Sequence, residues 1–208
     1  MAILEAIRGT EKKLQIGGSS MPAVVDPEFA AWLKRGRQLF ALLPVPDLSD
    51  ISCATTCGSS EIEQFLCGRQ WDALALADAF EGRRNDSIDL GEIPTRLSRA
   101  GLRYYFPGLL LHFLRNGTYQ HSNWGGTFYF NFVRRIQFDD HLVLNCGGPD
   151  SYFDFTSDQK AFCGRILIEI YDKYGDIYEP VIGRGFEWQD VARCSVKRAL
   201  DNYWSKWV

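Results

Sequence analysis

The chain has 208 residues, of which 46% are hydrophobic and 14% aromatic, enough to bury a substantial core in one domain or two small ones. A formal net charge of −3 gives no basic footprint, which argues against nucleic acid as a partner. The N-terminus has no cationic start followed by an apolar run and a small-residue cleavage site, so no secretory signal is read and a cytoplasmic setting is expected. In that setting the cysteines at 53, 57, 67, 146, 163 and 194 are expected to be free, mostly buried thiols, and the sequons at Asn85 and Asn116 carry no meaning.

Residues 1–16 place Ile3, Leu4, Ile7 and Leu14 among charges, a pattern that suits a short helix or strand. Gly17-Gly18-Ser19-Ser20 is a flexible joint, and it divides an N-terminal segment (1–25) from a single domain (26–208). Asp26-Pro27-Glu28 predicts a helix start, with Asp as N-cap, Pro at the first helical position and an acid in the first turn. Phe29, Trp32, Leu33, Leu39, Phe40 and Leu43 form its apolar side, and Pro44 and Pro46 are expected to end it. After a loop-like stretch, Ser59 or Ser60 can cap a helix that holds Ile62, Phe65 and Leu66 and stops at Gly68. Trp71, Leu74, Leu76, Ala77 and Phe80 begin another, and Glu81 to Asp89 reads as an exposed connection.

Residues 98–114 are the central element. Leu102, Tyr105, Phe106, Leu109, Leu110, Phe113 and Leu114 recur at helical spacing, so the helix must be buried by its neighbours. Pro107 predicts a kink or break, and with Arg103 it makes the run too interrupted to span a bilayer. Between 116 and 155 two readings compete. The favoured one is a hairpin, roughly Thr127–Arg134 with His141–Cys146; the other is a helix with Phe128, Phe132, Val133 and Ile136 on one side.

Thr156-Ser157-Asp158-Gln159 is a capping box. The helix it opens buries Phe162, Cys163, Ile166, Ile170, Tyr171 and Tyr174, leaves Lys160, Arg165, Glu169, Asp172 and Lys173 wet, and ends at Gly175. Trp188, Val191, Ala192, Ser195, Ala199, Leu200, Tyr203 and Trp204 define an amphipathic last helix, and the tryptophans at 188, 204 and 207 predict a docked C-terminal end. The fold class read from this pattern is mainly α, a single-domain helical bundle with room for a small β-hairpin at about 127–146.

Trp71 in its Gly-x-x-Trp setting, Tyr104-Tyr105-Phe106-Pro107, Phe155-Thr156-x-x-Gln159 and Ala199-Leu200-x-x-Tyr203-Trp204 occur in this order. The combination resembles a bacterial family of small cytoplasmic proteins of unknown function, marked by a Tyr-Tyr-Leu-Pro helix and a terminal Tyr-Trp. The resemblance covers residues 60–204. The chain departs from the pattern at Phe106, where the family has Leu, and in the aromatic, glycine-rich stretch 117–153. It implies no catalytic residues; proteins of this kind include immunity partners of secreted bacterial toxins.

No catalytic set assembles in the sequence. His112, His121 and His141 form neither a His-x-x-x-His nor a Glu-x-x-His pair. His112 lies on the central helix, where a hydrogen-bonded structural role is expected; His121 and His141 flank the hairpin region. Cys53, Cys57 and Cys67 lack a fourth ligand and the usual zinc spacing. No phosphate loop or nucleophile elbow is present. No metal and no cofactor are therefore expected. The more suggestive feature is acidic: Asp172, Asp176, Glu179, Glu187 and Asp190 interleave with Tyr178 and Trp188, a composition that fits either a solvated face or a dock for a basic protein. The expected function is that of a non-catalytic cytoplasmic binding protein, an immunity protein that occludes the active site of a basic toxin domain, acting without nucleic acid or membrane. The alternatives are an enzyme or metal-binding protein with a site near His121 and His141, flanked by Asp139 and Asp140, or a structural subunit of a larger assembly.

Overall fold

The computed structural model describes residues 26–52, 59–77, 80–81, 88–89, 93–116, 132–133, 135–138, 149–175 and 195–208. Its architecture is mainly helical. In chain order the helices are α1 (Pro27–Leu39), α2 (Leu48–Ile51), α3 (Ser59–Leu66), α4 (Trp71–Leu76), α5 (Ile93–Arg96), α6 (Arg99–Asn116), α7 (Pro149–Phe153), α8 (Ser157–Tyr174) and α9 (Val196–Asn202), followed by a 3₁₀ turn, Trp204–Trp207. No described helix is long and apolar enough to cross a membrane.

Helix α6 is the axis. Every residue from Gly101 to Leu114 except Arg103 is buried, as a helix apolar on all sides must be. The break expected at Pro107 does not occur: the helix runs unbroken from Arg99 to Asn116. Proline removes one backbone bond here, and neighbours packed on every side hold the turn in place. The next residue, Gly108, explains how one neighbour comes so close. A Cβ built there would lie 1.9 Å from the Trp71 carbonyl oxygen, so the α4 backbone rests directly on α6. Tyr105 Oη donates to the Leu66 carbonyl at 2.8 Å and Tyr104 Oη to Gln70 Oε1 at 2.9 Å, clamping the turn around Gly68, whose φ of +72° ends α3. His112 Nδ1 donates to Leu74 O at 3.1 Å and Arg115 to Leu76 O at 2.8 Å, which satisfies carbonyls at the end of α4.

The Asp26 carboxylate accepts from Glu28 N and Pro27 opens α1, as the sequence predicts. The helix stops earlier than expected, at Leu39. Its last carbonyl accepts from Gln159 Nε2 at 2.8 Å, and Leu43 falls in the following loop. Helix α4 likewise stops at Leu76, because Ala77 is extended (ψ 148°). Phe80 belongs instead to a two-residue antiparallel pairing of Phe80–Glu81 (β1) with Ile88–Asp89 (β2).

The hairpin reading fails where it can be checked. Phe132, Val133, Arg135 and Ile136 are helical; the remainder of 127–146 lies outside the described residues. Phe132, Val133 and Ile136 are each fully buried, which is the face the helical alternative assigns them. Of the alternating Phe128, Phe130 and Phe132, Phe132 is described, and helical burial, not a pleat, absorbs its ring.

Both halves of the capping box at Thr156 and Gln159 are made, and Gly175 (φ +68°) ends α8. Replacing Thr156 with Ala is expected to cost about 1 kcal/mol, read as a lower denaturant midpoint with an unchanged slope. Lys160 departs from its assigned wet side: it is only 7% exposed. Its ammonium pairs with Asp150 at 2.7 Å and lies 4.3 Å above the Trp207 ring, which compensates the burial of the charge.

The C-terminal end is docked. Ser195 caps α9, and Trp204 is fully buried. Its ring stacks on Phe106 at 5.5 Å, Phe106 in turn stacks on Phe132 at 5.7 Å, and Phe153 lies 4.6 Å from Phe106. Helices α1, α4, α6, α8 and the terminal turn thus share one aromatic core.

Candidate interaction surface

The titratable groups that burial gathers are occupied in holding the fold. Asp150 accepts from Lys160 at 2.7 Å and from Tyr203 Oη at 2.6 Å, with Lys206 at 3.4 Å. These donors, Lys160 first, hold its carboxyl at about 2, below the ordinary 3.8. Burial, and then the bond to Asp150, push the Tyr203 phenol up, so it stays protonated and donates. A group whose folded pKa is depressed stabilises above its unfolded pKa and loses that contribution as pH falls through the folded value. The wild-type chain is therefore expected to lose stability between about pH 4 and pH 2, and Asp150→Asn to flatten that dependence. Because Asp150 is half-exposed, the substitution is expected to cost roughly 1–2 kcal/mol at neutral pH, below the figure for a fully buried pair. Urea midpoints across the window for both chains test it.

Burial pushes the Cys163 thiol well up, while Cys67 is exposed. His112 is 1% exposed and bonded to Leu74 O. Among the described residues no three His, Cys, Asp or Glu side chains converge as metal ligands.

The sequence-predicted site is placed only in part. Asp172 is exposed near the C-terminal end of α8. Asp176, Tyr178, Glu179, Glu187, Trp188 and Asp190 lie outside the described residues, as do His121, Asp139, Asp140 and His141 and the cysteines Cys53 and Cys57.

A second surface escaped the sequence reading. From the end of α1 to the first residue of α2 the chain runs Leu42-Leu43-Pro44-Val45-Pro46-Asp47-Leu48. Phe40 (1% exposed) and Ile51 (2%) anchor its two ends in the core. Between those anchors Leu42 is 96% exposed, Val45 54% and Leu48 50%. They are three of the five large hydrophobic residues exposed among the described residues. Clustered exposed apolar side chains of this kind mark interaction sites on soluble proteins.

Behind this strap lies a half-open cleft of about 680 Å³, with Arg99, Arg103 and Tyr104 of α6 on one side and Tyr152 and Asp154 closing it. Arg103 pairs with Asp154 at 3.1 Å, and Arg99 Nε donates to the Tyr152 carbonyl at 3.1 Å. The two acids on the strap side, Asp47 and Asp50, are exposed. Neither carboxylate has a hydrogen-bond or ion-pair partner among the described residues. The arrangement places exposed apolar side chains beside exposed carboxylates, with Arg99 and Arg103 across the cleft, the mixed chemistry of a macromolecular interface. Leu-Leu-Pro-Val-Pro carries the signal, but in sequence its prolines announce only the end of α1.

No family model matches the chain, and no curated protein or solved structure matches it either.

Proposed function

We propose that the chain is a non-catalytic cytoplasmic binding protein, an immunity protein that neutralises a secreted bacterial toxin by covering its active site. The observation that carries this reading is the anchored strap. It holds Leu42, Val45 and Leu48 out in solvent beside two exposed acids, Asp47 and Asp50, whose carboxylates have no partner among the described residues. Where the buried ionisable side chains are described, they serve packing and capping: Lys160 and Tyr203 meet Asp150, and His112 meets Leu74. The resemblance carried by Trp71, Tyr104-Tyr105 and Tyr203-Trp204 points the same way. In sequence, Asp172, Asp176, Glu179, Glu187 and Asp190 add further carboxylates of the kind this reading requires. Toxin domains that handle phosphates present basic active sites, and carboxylates speed encounter with them.

The direct test mixes the purified protein with the toxin domain encoded by the neighbouring gene. The expected result is a stoichiometric complex at micromolar concentration by light scattering, with an association rate that falls as salt rises. Absence of any complex at that concentration refutes the reading.

A further inference from the structure

We infer that the cleft between the strap and α6 is a binding site for a short zwitterionic peptide with apolar side chains, whose carboxylate meets Arg99 and whose ammonium meets Asp47 and Asp50. The inference goes beyond the toxin-binding reading and does not depend on it.

The argument starts from which charges in the cleft are already met. Arg103 donates to the Asp154 carbonyl at 3.1 Å and pairs with the Asp154 carboxylate at 3.1 Å, so its charge is met within the wall. Arg99 is different. Its Nε donates to the Tyr152 carbonyl at 3.1 Å, and its Cζ lies 5.8 Å from the centre of the Tyr152 ring. Its two terminal nitrogens have no partner among the described residues. On the strap side, Asp47 stands at the N-cap of α2 but makes no capping bond. Asp47, Asp50 and Arg99 line the same cleft, and among the described residues neither acid pairs with Arg99.

The surrounding bonds fix both sides before any ligand arrives. Ser98 N donates to the Ile51 carbonyl at 3.0 Å, and Ser98 Oγ donates to the Asp50 carbonyl, which locks the end of α2 to the start of α6. A Cβ on Gly101 would lie 2.1 Å from the Ile51 carbonyl oxygen, so this joint is already at closest approach. Across the cleft the Arg99 guanidinium is held at Tyr152, whose hydroxyl accepts from Arg135 at 3.4 Å. Groups placed in advance bind a ligand at a lower ordering cost.

Size and lining select the ligand. The cleft holds about 680 Å³, which as a sphere is roughly 11 Å across, the length of about three extended residues. Leu43, Val45, Pro46 and Ala100 give it apolar walls between the charged groups, the usual make-up of a small-ligand pocket. The free terminal nitrogens of a guanidinium fit a carboxylate, and two carboxylates suit the three donors of an ammonium. A ligand with one charge would leave one side of the cleft unanswered.

The experiment is calorimetric titration of the full-length chain with the tripeptide Leu-Ala-Leu, with free ends, with an acetylated N-terminus and with an amidated C-terminus. The expected result is saturable binding of the free peptide below about 1 mM, weakened about tenfold by either cap. Arg99→Gln is expected to weaken the free peptide about tenfold and to leave the amidated one unchanged. Asp47→Asn/Asp50→Asn is expected to do the same for the free and acetylated peptides respectively. The substituted side chains are exposed, so thermal midpoints are expected to match wild type, and the Asp47→Asn/Asp50→Asn chain decides the matter if Arg99→Gln is unstable. No saturable heat from the free peptide up to about 10 mM overturns the site. Equal binding of the capped peptides overturns recognition of both charges. Undiminished binding in the variants places the peptide elsewhere and overturns the assignment to this cleft.

Discussion

Trp204→Ala is expected to lower the unfolding free energy by about 4 kcal/mol, the largest effect of any single truncation here. The ring is fully buried in the aromatic core. It stacks on Phe106 at 5.5 Å with an interplanar angle of 12°, meets Tyr203 edge-on at 5.0 Å, and lies 5.7 Å from Phe153 and 6.3 Å from Phe138. Its Nε1 donates to the Ile136 carbonyl at 3.0 Å, so truncation also leaves a buried acceptor without its partner. Trp204→Phe separates the two contributions: it keeps a ring against Phe106 and loses the bond, and is expected to cost about 2 kcal/mol. Urea unfolding measures both. A shift of less than about 1 kcal/mol for Trp204→Ala would show that the terminal turn is not part of the core.

The second large effect runs against helix propensity. Alanine is about 1 kcal/mol better than glycine inside a helix, yet Gly108→Ala is expected to destabilise the protein by about 3 kcal/mol. The added methyl would lie 1.9 Å from the Trp71 carbonyl oxygen and 3.0 Å from its carbon. Those are backbone atoms, and the neighbouring Tyr104, Tyr105 and His112 bonds hold this joint to α6. Gly101→Ala meets a similar wall, the Ile51 carbonyl oxygen at 2.1 Å. A neutral or stabilising Gly108→Ala by thermal unfolding would mean that α4 does not rest on α6 at this point.

These two residues also show what a reader of the sequence can and cannot see. Local chemistry is legible: Asp26-Pro27, Thr156 with Gln159, and Gly175 act where their spacing says, because a cap is decided within four residues. The apolar rows of α1, α6 and α8 are legible for the same reason. Gly108 is not, because the requirement for no side chain comes from Trp71, which lies far away in sequence. Lys160 fails as a surface residue on similar grounds, since its partner Asp150 and the Trp207 ring arrive from separate segments. Phe132 and Ile136 look like strand or helix until the Phe106 and Trp204 rings fix their surroundings. At the candidate surface, Pro44 and Pro46 announce that α1 cannot pass them. Nothing in their spacing says that Leu42, Val45 and Leu48 would face outward, because that depends on Phe40 and Ile51 being held in the core.

The all-round burial of α6 has a consequence for biosynthesis. A ribosome delivers Leu102 to Leu114 well before it delivers α8 and the Trp204 turn, the segments that cover one side of that helix. Until the final residues emerge, the most apolar stretch of the nascent chain has a bare flank, and slow translation or high temperature prolongs the interval in which it can meet another copy. Cool, moderate expression with holdase chaperones present is therefore expected to raise the yield of folded chain.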